Sequence, residues 1–140
     1  MKYGFLKIQV NGCMECLNIN RNKFSDSIHR LIDCDIWEGV PVHVPGIGSF
    51  YMMLDENGKI KNPPKKVNAL ATLLYNNSLD YIVGDFIIGE LKYVPSDEPD
   101  IPEELDVCPI DADKLSHLLN YCMGLYIDFF LKGVSSDAEK

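Results

Sequence analysis

Phe50-Tyr51-Met52-Met53-Leu54 is a strand-like run that breaks at Asp55-Glu56-Asn57-Gly58, and the chain comes back as Tyr81-Ile82-Val83-Gly84-Asp85-Phe86-Ile87-Ile88-Gly89. Between the two runs lies Pro63-Pro64, which keeps Lys59-Ile60-Lys61 from extending as a strand because proline donates no ladder hydrogen bond. Val67, Leu70, Ala71 and Leu74 then repeat at helical spacing, and Asn76-Asn77 ends that short helix because asparagine tolerates the left-handed conformation. Strand, turn, helix and strand in this order define an α+β unit. Gly84-Asp85 interrupts the returning strand, and an isolated glycine there marks a bend, a bulge or the close approach of another backbone.

The pattern extends toward the N-terminus. Leu6, Ile8 and Val10 alternate with Lys7 and Gln9, and Glu15, Leu17 and Ile19 alternate with Cys16 and Asn18. Asn11-Gly12 between them predicts a β-hairpin with a two-residue turn. A helix is expected from Asn22, with Phe24, Ile28, Leu31 and Ile32 on the face that packs against the sheet. Val40, Val42 and Val44 alternate with Pro41, His43 and Pro45, which reads as a strand that lies at a sheet edge or ends early.

The order of the elements from residue 36 to 91, with Asp55-Glu56-Asn57-Gly58-Lys59, the proline-containing link to Asn68, and Ile82-Val83-Gly84-Asp85, resembles the domain-of-unknown-function family numbered 3846. That resemblance implies a small protein of a bacterial mobile genetic element such as a phage, plasmid or conjugative element. It implies no catalytic residues, and Gly58, Asn68, Gly84 and Asp85 are best explained by backbone geometry.

Residues 95–113 change the composition. Asp97, Glu98, Asp100, Glu103, Glu104, Asp106, Asp111 and Asp113 have no Lys or Arg among them, so they account for the whole formal net charge of -8. Pro95, Pro99, Pro102 and Pro109 make this an extended acidic linker in expectation. It is either solvated, or an arm for a basic partner or a mimic of nucleic-acid charge. A hydrophobic C-terminal helix over 114–133 follows, capped by Asp111 or Asp113 and stopped at Gly133, with residues 134–140 as a disordered tail. Leu115, Leu118, Leu119, Cys122, Tyr126, Phe129 and Phe130 form its apolar face, which Met123, Leu125 and Ile127 broaden. Such a surface must be covered, by the chain's own sheet, a second copy or another protein. Tyr126, Phe129 and Phe130 are the candidate partner-binding residues, since aromatic side chains dominate interface hot spots.

The 140 residues are expected to make one domain, with an α+β body over 1–94 built on a mainly antiparallel sheet of about five strands with helices on one face. The N-terminus enters a strand pattern without a secretion signal, and no apolar run is long enough to span a membrane, so a cytoplasmic location is expected. Cys13, Cys16, Cys34, Cys108 and Cys122 are expected to be reduced thiols. Cys13 and Cys16 on one strand would point to opposite faces, which is wrong for zinc.

No cofactor or metal is expected. His29, His43 and His117 lie in separate elements without ligand spacing, and Gly46-Ile47-Gly48-Ser49 lacks the lysine of a phosphate-binding loop. The leading expectation is a non-enzymatic protein-interaction or regulatory module. The alternatives are a nucleic-acid-directed protein, with Lys59, Lys61, Lys65 and Lys66 as phosphate-contacting residues or by acidic mimicry, and a small-metabolite enzyme using Asp85, Tyr51 and His43.

Overall fold

A computed structural model describes residues 3–77 and 79–138. Strands β1 (Tyr3–Ile8) and β2 (Met14–Leu17) form the N-terminal hairpin, with Ile8 opposite Met14. Its loop takes in residues 9–13, longer than the expected two-residue turn, and closes through Gln9 N–H to Cys13 O with Gly12 at φ +90°. Helix α1 (Phe24–Leu31) follows a single 3-10 turn whose start is capped by Asn20. Strands β3 (Trp37–Val44) and β4 (Gly48–Asp55) pair along their full length. Helix α2 (Ala69–Tyr75) is capped by the Asn68 side chain and closed by Asn76 at φ +53°.

Strand β5 (Phe86–Pro95) runs between β1 and β4 and pairs antiparallel with both. The strand order is β2-β1-β5-β4-β3, which puts Pro41 on an edge strand where its missing N–H is tolerated. Two further strands complete a seven-stranded sheet. β6 (Glu103–Cys108) pairs with the second half of β5, and β7 (Ile110–Asp111) pairs with the start of β1. Helix α3 (Ala112–Ala138) leads directly out of β7, its first turn held by Asp111 Oδ1 accepting the Lys114 N–H at 3.0 Å.

The fold is α+β on an antiparallel sheet, with more strands than expected. Side chains alternate across it. Leu6, Ile8, Phe50, Met52, Phe86 and Ile88 bury one face under α2 and the first half of α3, with Leu70, Leu74, Leu115, Leu118 and Cys122. Phe5, Met53 and Ile87 bury part of the other face under Ile28 of α1 and Ile32 at its C-cap. The helices are therefore divided between the two faces, not gathered on one. Phe50 and Phe86 are completely buried, and each side chain of this size contributes about 2–3 kcal/mol through burial.

The C-terminal third departs from the expected linker and tail. Within 95–113, Glu103–Cys108 is a paired strand, because Leu105 and Val107 alternate with the acidic residues and the strand lies where its carboxylates reach water. The C-terminal helix does not stop at Gly133 but runs to Ala138, since one glycine inside a long helix costs only about 1 kcal/mol. Of the expected disordered tail, 134–138 thus continue the helix, while 139–140 lie outside the described residues.

Candidate functional site

Asp55 ends β4 with a side chain that is 0% exposed. Its Oδ2 lies 2.7 Å from Lys61 Nζ and 2.9 Å from Lys65 Nζ, and its Oδ1 accepts the Asn57 N–H at 2.9 Å. Burial pushes the Asp55 pKa up, but the hydrogen bonds from Lys61, Lys65 and the Asn57 backbone together outweigh it and hold the carboxyl below its ordinary value. Lys65 Nζ also donates to Ile32 O at 2.8 Å and Asp33 O at 2.7 Å, where α1 ends and its dipole favours a cation. Lys59 pairs with Asp80 and lies 4.2 Å from the Tyr81 ring centroid.

The fold thus gathers the four lysines proposed as phosphate contacts, but it commits three of them internally. Lys61 and Lys65 staple the turn after β4 to the end of α1, and Lys59 holds the 79–81 loop. Of the four, Lys66 alone has no ion pair among the described residues. Their partners are Asp55 and Asp80.

Next to the staple a cleft of about 290 Å³ opens between Glu38, Glu56, Lys59, Tyr75, Asp80 and Tyr81, over a floor of Val40, Leu54, Ile82 and Val83. Burial, and then the charge of Glu56, raise the Glu38 carboxyl. Lys59 already occupies the cationic position in this acidic cleft. Among the described residues its lining holds carboxylates, a lysine and tyrosines but no histidine.

The Gly84-Asp85 interruption holds the backbone in place. Gly84 has φ +81°, and a Cβ there would come within 2.8 Å of Lys65 Cδ. Asp85 Oδ1 accepts the Val10 N–H at 2.9 Å. Buried Asn68 ties the region together, accepting the Ala71 N–H and donating to the carbonyls of Ile8 and Gly84. The suggested trio of Asp85, Tyr51 and His43 is not assembled. His43 is opposite Ser49 at one end of β4, whereas Asp85 precedes β5 near the other end, where Met53 pairs with Ile87.

On α3 the structure separates two halves. Leu115, Leu118 and Cys122 are buried in the core, while Met123, Ile127, Phe129, Phe130 and Leu131 are each 50% exposed or more. Of the three aromatic candidates, Tyr126 is 37% exposed and lies against Gly12 of the β1–β2 loop, whereas Phe129 and Phe130 stand in solvent at 53% and 62%. By helical angle, Tyr126 and Phe129 continue the face that is buried further up the helix, and Met123, Ile127 and Phe130 form a second stripe beside it.

Cys13 and Cys16 are exposed in the hairpin, and Cys34, Cys108 and Cys122 are buried. Burial pushes the Cys122 thiol up to about 12 and also raises Cys34, so neither is a ready nucleophile. Among the described residues no group of three or more His, Cys, Asp or Glu is placed to hold a metal ion, and no helix is long and apolar enough to cross a membrane. No family model, no curated protein and no solved structure matches the chain.

Proposed function

We propose that this chain is a non-enzymatic protein-interaction or regulatory module whose contact surface is the outer half of α3. The observation that carries the proposal is the solvent-facing set Met123, Ile127, Phe129, Phe130 and Leu131 on a helix whose inner half is already buried. An apolar surface spread around a helix is stable in water only when something covers it. The occupant is a second copy of the chain or another protein; the resemblance over residues 36–91 adds a bacterial mobile genetic element as the setting, and the N-terminal pattern read without a secretion signal adds the cytoplasm. Contact with nucleic acid through Lys59, Lys61 and Lys65 has less support, because those ammonium groups already have partners.

The test is light scattering across a concentration series, with a nuclease-treated pull-down from the native host, on the wild type and on Phe129→Ser/Phe130→Ser. A dimer or stoichiometric partner that is lost in a folded double variant supports the proposal. A monomer with no partner, or an association indifferent to the double variant, overturns it.

A further inference from the structure

The two faces of the sheet are not equally covered. α1 is 8 residues long and lies over Phe5, Met53 and Ile87, which leaves the rest of its face without a helix. The register shows what continues there. Tyr51 is opposite Gly89, Leu91 and Tyr93 follow at every second position of β5, and Val107 and Leu105 are their partners on β6. Tyr93 is 72% exposed and Leu105 55%, although they face each other across a strand pair. The Tyr51 ring covers Gly39, where a Cβ would sit 1.8 Å from it. Between this strip and the first turn of α1 runs a groove of about 270 Å³ lined by Arg21, Phe24, Trp37, Asp106 and Val107.

We propose that this open half of the sheet face docks a cationic amphipathic helix of a partner protein, laid beside α1 in the same layer. A sheet face is completed by a helix layer, and α1 fills only part of it. The floor is apolar, which suits the apolar side of a helix. The charge around it selects the other side. Glu103 shares the face of Leu105, and Asp97, Glu98 and Asp100 lie in the 96–102 loop that joins β5 to β6 with no Lys or Arg among them, while Glu104 and Lys92 alternate to the opposite face. Arg21 at the groove is already paired with Asp106, so it does not repel a basic helix. The same carboxylates discourage addition of a strand at the β6 edge. This surface is separate from the outer half of α3, and the two proposals fail independently.

The chain has a single tryptophan, and Trp37 lines the groove, so its fluorescence reports occupancy of this site. The probe is a synthetic Leu/Lys amphipathic helix of roughly 14 residues, which would span about 20 Å. Its control is a Leu/Glu peptide with the same apolar face. The Leu/Lys peptide is expected to shift Trp37 emission saturably, and to bind more weakly as salt rises from about 50 to about 500 mM. Tyr93→Ser/Leu105→Ser should weaken binding on the order of tenfold. Both residues are more than half exposed, so the variant is expected to keep its fold, checked by circular dichroism. Phe129→Ser should leave the titration unchanged. Equal binding of the two peptides, indifference to the Tyr93/Leu105 variant, or loss of the signal in Phe129→Ser would overturn the proposal.

Discussion

Asp55→Asn removes the charge at the centre of the staple and leaves the shape of the side chain intact. The asparagine oxygen still accepts the Asn57 N–H, so the change isolates the interaction with Lys61 and Lys65. Removing one partner of a buried ion pair typically costs about 3–5 kcal/mol, because a charge is left without its counter-ion. Here the lysine side chains are 32% and 17% exposed, so water takes up part of that charge. The expected loss is therefore about 2–3 kcal/mol. For a chain of 140 residues the unfolding entropy is roughly 0.3 kcal/mol/K, which converts the loss into a fall in Tm of roughly 7–10 °C.

Thermal and urea unfolding of Asp55→Asn, Lys65→Met and the double variant would measure both the loss and the coupling between the two side chains. A coupling above about 1 kcal/mol is expected for groups in direct contact. A fall in Tm below about 2 °C, with additive single effects, would refute the staple.

Three other predictions concern the same framework. The folded pKa of Asp55 is depressed, so its contribution is complete above about pH 4 and is lost as pH falls through the folded value; acid unfolding monitored by circular dichroism should be less steep in Asp55→Asn. Asn68→Ala removes the α2 cap and strips a donor from the carbonyls of Ile8 and Gly84, for an expected loss of about 2–3 kcal/mol in urea, while a loss under about 0.5 would show that the cap is dispensable. A thiol reagent should modify Cys13 and Cys16 quickly and Cys34, Cys108 and Cys122 only on unfolding; fast reaction at a third thiol would contradict the burial of these cysteines.

Local patterns in the sequence were enough for the strand pairs of the two hairpins, though not for the length of the 9–13 loop, for the apolar face of Phe24, Ile28 and Leu31 with Ile32 at the α1 C-cap, and for an edge position as one of two readings of β3, because each is written in spacing or in proline positions. The second helix layer ran against the expected single layer, although the sequence carries an indirect sign of it. Phe86, Ile87 and Ile88 are consecutive and all buried, and an uninterrupted apolar run in a strand signals cover on both faces. β6 was hidden because only Leu105 and Val107 carry its alternation, amid carboxylates and prolines that read as linker. At the candidate site, the helical spacing grouped Phe129 and Phe130 with the buried Leu115, Leu118 and Cys122 and did not show where along α3 the cover ends. The Asp55 staple was not visible in the sequence, since no spacing rule ties Asp55 to the end of α1 at Ile32 and Asp33.

The position of β5 also has a consequence during synthesis. Leu6 of β1 finds its partner Ile88 about 80 residues later in the chain, and β7 closes on Tyr3 later still. At a translation rate of roughly 5–20 residues per second, the N-terminal hairpin leaves the ribosome roughly 4–16 s before the strand that seals its inner edge. During that interval Leu6 and Ile8 have no core to enter, and β1 presents an open row of backbone donors and acceptors. A stop in synthesis anywhere before residue 86 therefore leaves the hairpin with an open edge, the kind of surface that aggregates, instead of a folded domain.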